Sequence, residues 1–216
     1  MKVAETVEVC ETFVSIQGES TYAGQSCFFV RLAGCNLSCS YCDTPQARTA
    51  GSGTATAIAI LVKDCVASSA AIAEITGGEP LLQPGFRPLA AALRKSTKKP
   101  VLVETNGSRD ISCVPADVVA IMDLKTPGSG MSDEMDMANM GRLRPQDEVK
   151  FVLTDRADYD WACRLTREHG LNERCHAVLF SPAFGRLEPG ELGGWILADK
   201  IPARLQLQIH KIVRMR

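Results

Sequence analysis

Polar and apolar residues alternate along much of this chain with the periods of strands and helices. Residues 5–16 alternate loosely, with valines at positions such as Val7 and Val9, and this pattern predicts a strand. Residues 17–19 (Gln-Gly-Glu) follow, and their glycine permits a tight turn. The first predicted element is therefore a strand that leads into a short loop.

Seven further apolar or alternating segments predict strands, and they cover residues 27–33, 71–76, 100–104, 118–125, 148–153, 177–181 and 204–210. Helix-like stretches separate several of them and cover residues 54–67, 86–96, 156–169 and 189–199. In the third stretch, Ala157, Trp161 and Leu165 fall on one face at helical spacing. Strands that alternate with helices predict a parallel sheet with helices packed outside it.

The fold class predicted from this alternation is α/β, as an incomplete (β/α)6-type barrel in a single domain. A closed eight-stranded barrel typically needs about 250 residues, whereas this chain has 216. An open barrel of about six units therefore fits the length better. We expect one domain over residues 1–216, with the N-terminal strand and loop in 1–26 and the partial barrel in 27–216.

Several candidate binding segments come directly after predicted strands. They are Cys35, Cys39 and Cys42, Gly77-Gly78-Glu79-Pro80, Glu104-Thr105-Asn106-Gly107, Asp123-Leu124-Lys125 and Ser181-Pro182. Ligands of parallel α/β sheets bind outside the carboxyl ends of the strands. All of these segments are therefore expected to face one cavity.

The charge and cysteine content narrow the class of protein. A net charge of −1, from 24 basic and 25 acidic residues, favours a small-molecule substrate over a nucleic acid or a membrane surface. No uninterrupted apolar run approaches the roughly 18 residues of a membrane span. The nine cysteines are an odd number and the first residues lack an apolar signal region, so we expect a cytoplasmic protein with reduced cysteines.

The spacing C-x3-C-x2-C of Cys35, Cys39 and Cys42 carries the strongest chemical signal. A cubane iron-sulfur cluster has four irons, so three cysteine ligands leave one iron open. A small molecule with an amino group and a carboxylate, such as S-adenosylmethionine (SAM), can chelate that iron. The alternatives are a metal-free loop of buried cysteines or a zinc site completed in space by Cys10 or Cys27, or by Cys65.

Other polar residues allow two interpretations each. Arg31, inside an apolar strand, needs an anion, which is either a ligand carboxylate or a structural partner. Asp43 and Thr44 follow the last cysteine of the motif and suit either a Mg2+ shell or an ordinary turn. Lys125 is either solvated or in contact with a ligand. In the last predicted strand, Gln206, Gln208 and His210 alternate with apolar residues and would share one face.

Taken together, these segments resemble the 7-carboxy-7-deazaguanine synthases, a family of radical SAM enzymes. The resemblance runs from about residue 10 to the C-terminus and rests on Ser15-Ile-Gln-Gly-Glu, Phe29-Val-Arg-Leu-Ala-Gly-Cys-Asn-Leu-Ser-Cys-Ser-Tyr-Cys-Asp-Thr, Thr76-Gly-Gly-Glu-Pro, Glu104-Thr-Asn-Gly and Leu205-Gln-Leu-Gln-Ile-His-Lys. It implies a barrel of the radical SAM kind. Ser20, where the family usually has a glycine, and the segment that begins at Asp123 depart from the common pattern.

The resemblance also implies a reaction. In this family SAM bound to a 4Fe-4S cluster gives a deoxyadenosyl radical, which removes a hydrogen from C6 of 6-carboxy-5,6,7,8-tetrahydropterin. The ring contracts, ammonia leaves, SAM is regenerated, and 7-carboxy-7-deazaguanine enters the pathway to queuosine and other deazapurines. Mg2+ as a further cofactor, an external electron donor of the flavodoxin or ferredoxin type, and a homodimer are implied as well.

The family's site residues map onto this sequence position by position. Cys35, Cys39 and Cys42 would ligate the cluster and Thr44 would bind Mg2+. The implied SAM contacts are Tyr41, Cys42, Asp43, Gly78, Glu79, Glu104, Asn106, Ser108 and Lys125. The implied substrate contacts are Ile16, Gln17, Gly18, Arg31, Thr76, Gln208, His210 and Arg216.

Two other functions are open at this point. A glycyl-radical-enzyme activase shares the cysteine spacing but typically has His-Asn-Pro after the last cysteine, where this chain has Asp43-Thr44-Pro45. A non-catalytic iron-sulfur or zinc binding module would need neither the Gly77-Gly78-Glu79-Pro80 turn nor Asn106 at a strand end.

Overall fold

One mixed sheet organises the computed structural model, which describes residues 5–215. Its strands are β1 (Thr6–Ile16), β2 (Ser26–Leu32), β3 (Thr54–Ala57), β4 (Ile72–Gly77), β5 (Val101–Thr105), β6 (Val119–Asp123), β7 (Glu148–Leu153), β8 (Ala177–Pro182) and β9 (Arg204–Leu205). They lie in the order β3-β1-β2-β4-β5-β6-β7-β8-β9. Neighbours from β2 to β9 are parallel, whereas β1 is antiparallel to both β2 and β3. The sheet does not close, and this confirms the predicted α/β open barrel of the radical SAM kind.

Some of the strands are followed by an α-helix and others are not. The helices are α1 (Ile58–Ala67), α2 (Phe86–Ser96), α3 (Arg156–Glu168), α4 (Leu171–Arg174), α5 (Pro189–Asp199) and α6 (Ile209–Ile212). In α2, apolar residues such as Phe86, Leu89 and Leu93 recur at helical spacing and are buried against the sheet side. The connections from β5 to β6 and from β6 to β7 contain short 3-10 turns in place of α-helices. The division of the chain at residue 26 stays a prediction.

The predicted helix over 54–67 is wrong in its first turn. Residues Thr54–Ala57 form β3, which pairs with β1 from Thr6 opposite Ala57 to Val9 opposite Thr54. Threonines favour strands, and the edge of β1 offers unpaired backbone groups at this point. The helix α1 begins only at Ile58.

The predicted strand over 204–210 is also wrong beyond its first two residues. After β9, Gln206 donates its backbone N–H to the carbonyl of Phe180 at 2.8 Å, and the chain then turns into α6. Gln206 is buried while Leu205 is 41% exposed, so the predicted polar face does not exist. The chain turns back because the N–H of Ile209 bonds the carbonyl of Gly18 at 2.9 Å.

The two faces of the sheet have different chemistry. The outer face and the helices share a large apolar core that includes Ala73 and Ile75 of β4. The inner face has only a small apolar cluster, formed by Cys27, Phe29, Ile72, Leu102 and Ile121. Glu74, between Ala73 and Ile75, lies on the inner face because successive side chains of a strand point to opposite sides. The inside of the open barrel is therefore polar toward the carboxyl ends of the strands.

None of the helices within residues 5–215 combines the length and the apolar character needed to cross a bilayer. All nine cysteines are described and all are free thiols.

Candidate active site

A cavity of about 610 Å3 opens inside the barrel at the carboxyl ends of the strands. Its wall contains most of the segments predicted to face it, namely Cys35, Cys39, Cys42, Gly77, Gly78, Glu104, Thr105, Asn106, Asp123 and Lys125. The predicted substrate-side residues Ile16, Gln17, Gly18, Arg31, Thr76, Gln208 and His210 line it too, as do Tyr41, Asp43 and Thr44. Ser181 is fully buried outside the lining, and Arg216 lies outside the described residues.

The three cysteines lie on a loop that follows β2 and is fixed by backbone hydrogen bonds. The N–H of Cys35 bonds the carbonyl of Arg48 at 2.9 Å, and the N–H of Cys42 bonds the carbonyl of Cys39 at 3.2 Å. All three thiols are half-buried in the cavity wall. Burial raises the pKa of the Cys39 thiol, and the nearby ammonium of Lys125 opposes that effect.

The donor set fits a cubane cluster better than a single metal ion. No three His, Cys, Asp or Glu side chains within residues 5–215 are placed to share one ion. Cubane ligands bind separate irons, so their sulfurs need not converge on one point. The amide N–H of Leu37 lies 3.5 Å from the Cys35 sulfur and the Asn106 side-chain amide lies 3.8 Å from it, and such donors stabilise thiolate ligands.

The glycines after β4 allow two loops to pack against each other. A Cβ on Gly78 would lie 2.2 Å from the carbonyl oxygen of Gly34 and 2.8 Å from that of Ala47. Gly77 has a φ of +147°, which favours glycine. The structure therefore explains Gly78 by its contact with the loop that carries the cysteines and Gly77 by its backbone conformation and its close approach to Leu32 of β2, and the SAM contact of Gly78 stays a prediction.

Two of the predicted SAM contacts lie outside the cavity lining. Glu79 is fully buried and accepts hydrogen bonds from the Thr105 hydroxyl at 2.8 Å and the Asn106 N–H at 2.6 Å. Ser108 donates to the Asn106 side-chain oxygen at 2.6 Å and accepts from Asn36 at 2.9 Å. Both side chains fix Asn106, which does line the cavity.

Asp123 and Lys125 stand beside the cysteine loop. The Lys125 ammonium lies 2.9 Å from Oδ2 of Asp123 and 5.9 Å from the centre of the Tyr41 ring. Burial lowers the pKa of Lys125, but Asp123, Tyr41 and Cys39 together outweigh that effect and hold the pKa above its usual value. Burial likewise raises the pKa of Asp123, but Lys125 and Lys150 hold it below its usual value. The pair is therefore ionised, and Oδ1 of Asp123 is buried without a hydrogen-bond partner among residues 5–215.

Lys150 of β7 is the centre of the charge network, and the sequence reasoning missed it. Its ammonium lies 2.5 Å from Oε2 of Glu19 and 3.3 Å from Oδ2 of Asp123, and it also pairs with Glu104. The side chain is only 3% exposed. Burial lowers the pKa of Lys150, but these carboxylates together hold it well above its usual value.

The loop between β1 and β2 enters the barrel. Gln17 donates its side-chain amide to Glu74 of β4. Thr21 donates its N–H to Glu148 of β7 at 3.1 Å, and its hydroxyl bonds the same carboxylate. Glu19 lies between these two positions, so three alternate side chains of the loop contact charged residues inside the barrel. The loop thereby forms part of the cavity wall.

Arg31 has a partner within the protein. Its Nε lies 2.9 Å from Glu11, and its guanidinium lies 5.7 Å from the centre of the Phe13 ring. The structural ion pair considered for Arg31 therefore exists. A guanidinium has five N–H donors, and Arg31 also lines the cavity, so the pair with Glu11 orients a group that can still bind a carboxylate.

The C-terminal segment (residues 206–213) contacts both the β1–β2 loop and the loop that carries the cysteines. Gln208 donates to Glu19 at 2.9 Å, and the Lys211 ammonium lies 2.7 Å from Asp43. Burial raises the pKa of Asp43, but Lys211 holds it below its usual value. A Cβ on Gly18 would lie 1.9 Å from Nδ1 of His210, so a larger residue there would displace the His210 side chain.

The residues that sequence reasoning missed share one signal. Glu74 and Lys150 are charged residues inside otherwise apolar strands, as Arg31 is. A buried charge needs a partner or a ligand, so each such position marks the inner face of the barrel.

Comparisons with known proteins agree with this geometry. A sequence profile described as the radical SAM superfamily matches residues 30–175. A 7-carboxy-7-deazaguanine synthase from Koribacter versatilis is 40% identical over 220 residues, which cover 96% of this chain and 96% of that protein. The protein of the same name from Chlorobaculum tepidum is 42% identical over 217 residues, which cover 99% of this chain and 96% of that protein.

The fold has a counterpart among solved structures. A crystal structure of QueE from Escherichia coli matches with a TM-score of 0.74 and covers 95% of each chain. The sequence identity is 18%, so this likeness concerns the arrangement of the backbone.

Proposed function

The chain belongs to the radical SAM superfamily and, within it, to the 7-carboxy-7-deazaguanine synthases, and from this premise we propose that it converts 6-carboxy-5,6,7,8-tetrahydropterin to 7-carboxy-7-deazaguanine with release of ammonia. The observation that carries the proposal is one cavity with three half-buried cysteines on one side and a buried carboxylate-lysine network on the other. This arrangement supports a ring-contracting reaction in the queuosine pathway.

Membership of the superfamily implies a 4Fe-4S cluster and SAM, which supply a 5'-deoxyadenosyl radical when bound. Cys35, Cys39 and Cys42 hold the cluster, because they are the cysteines of the cavity wall. Asn106 and Lys125 are the nearby polar groups that orient SAM. Their positions are fixed by the packed loops and by Asp123, so little reorganisation is needed on binding.

The substrate binds on the side of the β1–β2 loop. Arg31 would bind its carboxylate, and Thr44 would supply one oxygen ligand to Mg2+. A role of Thr44 as a Mg2+ ligand is supported by two observations: Thr44 lines the cavity, and its hydroxyl donates a hydrogen bond to Asp43 at 3.2 Å. Mg2+ should stimulate turnover more in the wild type than in Thr44→Val, and an equal response would remove Thr44 from the metal shell.

Three further features belong to the proposal. A small electron carrier of the flavodoxin or ferredoxin type supplies the electron, which a turnover assay with each carrier in place of a chemical reductant tests. A homodimer is supported by exposed apolar residues near the C-terminus, such as Ile212 and Val213, and sedimentation measures it. A cytoplasmic location is supported by the free cysteines, and cell fractionation tests it.

The function is tested by anaerobic reconstitution with iron and sulfide, followed by SAM, a strong reductant and 6-carboxytetrahydropterin. We expect 7-carboxy-7-deazaguanine by mass spectrometry, and neither product nor cluster absorbance from Cys39→Ala. Formation of 5'-deoxyadenosine without product would reject 6-carboxytetrahydropterin as the substrate. This is the result expected of a glycyl-radical-enzyme activase. An intact cluster that neither cleaves SAM nor forms product would favour a non-catalytic binding module.

A further inference from the structure

Glu74 is a buried carboxyl group on the inner face of the barrel. It lies in the middle of β4, is 2% exposed, and lines the cavity. Its strand neighbours Ala73 and Ile75 pack on the outer face, so the side chain is held toward the inside. A carboxyl placed so deeply needs a hydrogen-bond partner or a ligand.

The protein supplies Glu74 with one hydrogen-bond partner. Within residues 5–215, the Gln17 side-chain amide donates to Oε2 of Glu74, and no ion pair includes Glu74. The oxygen of the same amide accepts the N–H of Glu19 at 2.8 Å. Both the nitrogen and the oxygen of the Gln17 side-chain amide are thus hydrogen-bonded. Oε1 of Glu74 is the carboxyl atom left for a ligand.

The surroundings of Glu74 are rich in acceptors. Burial raises the pKa of Glu74 well above its usual value, and the carboxylates of Glu104 and Glu19 raise it further, against the opposing effects of Lys150 and the Gln17 hydrogen bond. A ligand that enters this end of the cavity must therefore bring N–H or O–H donors, and an anionic group is disfavoured there.

The strand register separates this acceptor-rich end from Arg31. Arg31 of β2 lies opposite Thr76 of β4, whereas Phe29 lies opposite Glu74. Two residues along a strand correspond to about 7 Å, so Arg31 and Thr76 form one layer and Phe29 and Glu74 the next, deeper layer. The cavity therefore has a cationic layer near its mouth and a carboxyl with an aromatic ring below it.

We propose that Glu74 is a specificity-determining residue whose carboxyl hydrogen bonds the 2-amino end of the pterin ring. This inference rests on the proposed function. The substrate has its carboxylate on one ring and its 2-amino group on the other, so a carboxylate held at the Arg31 layer directs the amino end toward Glu74. Phe29 and Phe13, whose rings stack at 4.8 Å, flank the same region.

The test compares two unreactive ligands on the reconstituted, SAM-loaded enzyme: 6-carboxypterin and 6-carboxylumazine, in which an oxo group replaces the 2-amino group. Titration should show that the wild type prefers the amino compound by about tenfold or more. Glu74→Met, which keeps the volume but not the hydrogen bond, should bind both within about twofold. Glu74→Gln should restore part of the preference.

Equal weakening of both ligands in Glu74→Met would overturn the proposal, because Glu74 would then act only through Gln17 and the loop. Unchanged discrimination would overturn it too. Thr21→Val is the matched control, since it breaks a similar loop-to-barrel hydrogen bond outside the cavity lining, and it should keep the wild-type preference. If Glu74→Met does not fold, Glu74→Ala and Glu74→Gln must both reduce the preference for the proposal to stand.

The readout is binding, so it separates this inference from the proposed function. A wild type that prefers the amino compound but forms no 7-carboxy-7-deazaguanine would refute the reaction and leave the role of Glu74 intact. A wild type that forms the product, with discrimination independent of Glu74, would refute the role of Glu74 alone.

Discussion

Single charged residues inside apolar strands define the site more than any one motif does. Lys150 joins the β1–β2 loop to β5 and β6 through Glu19, Glu104 and Asp123. The sequence predicted a partner for Arg31 but could not decide between a protein carboxylate and a ligand. That choice depends on Glu11, which β1 places beside Arg31, and strand pairing of this kind is not encoded locally.

The substitution Lys150→Met should strongly destabilise the protein. It leaves the buried Asp123 and the half-buried Glu19 and Glu104 with one nearby lysine, Lys125, whose ion pair within residues 5–215 is with Asp123. Removal of one partner from a buried ion pair typically costs about 3–5 kcal/mol, and urea unfolding of the cluster-free protein measures this. Lys63→Met, at an exposed position on α1, is the control and should change stability by less than about 0.5 kcal/mol. A decrease in the free energy of unfolding of less than about 1 kcal/mol for Lys150→Met would contradict a stabilising role of Lys150 in the charge network.

Glu74 should make the stability of the protein depend on pH. Its pKa in the folded chain is well above the ordinary 4.5, so between the two values the folded state holds a proton that the unfolded state has lost. Stability therefore falls as pH rises from about 4.5. Glu74→Gln cannot ionise, and its stability relative to the wild type should increase with pH over this window in urea unfolding series. A difference that is constant with pH would show that the Glu74 pKa is ordinary.

At the level of elements, the alternation of strands and helices is sufficient to predict the barrel. The segments whose secondary structure was predicted wrongly are those whose conformation depends on contacts with distant parts of the chain. Residues 54–57 became a strand because β1 was available beside them. Residues 206–210 left the sheet because the C-terminal segment contacts Gly18 and Glu19. Neither partner is near in sequence, so a local hydrophobic pattern could not predict them.

The packing of the β4 turn on the cysteine loop predicts a specific defect in Gly78→Ala. The added Cβ would lie 2.2 Å from a backbone oxygen, so the loop must move, at a cost of about 1–3 kcal/mol. We expect iron bound per chain to fall to less than about half of the wild-type value in reconstitution, because the cysteines shift. Gly141→Ala, where nothing lies within 4 Å of the new atom, should reconstitute normally. Full iron loading in Gly78→Ala would show that the loop tolerates the displacement.

For the whole molecule, the sequence predicted the open barrel and the single cavity at its strand ends, because both follow from periodicity and from the position of polar residues after strands. It did not predict that the β1–β2 loop enters the barrel or that the C-terminal segment spans from Glu19 to Asp43. Apart from the Gln17–Glu74 hydrogen bond, these contacts join residues more than 100 positions apart. They add the β1–β2 loop and the C-terminal segment to the cavity wall, and exclusion of water from such a site limits side reactions.

The most direct test of the account is a single turnover with 6-carboxytetrahydropterin deuterated at C6. The reconstituted enzyme, SAM and reductant are mixed without oxygen, and the adenosyl carbon of recovered SAM and of any 5'-deoxyadenosine is analysed by mass. We predict deuterium at that carbon together with 7-carboxy-7-deazaguanine, and no label with Cys39→Ala. Product formed without any transfer of deuterium to the adenosyl group would contradict hydrogen abstraction from C6 in this cavity.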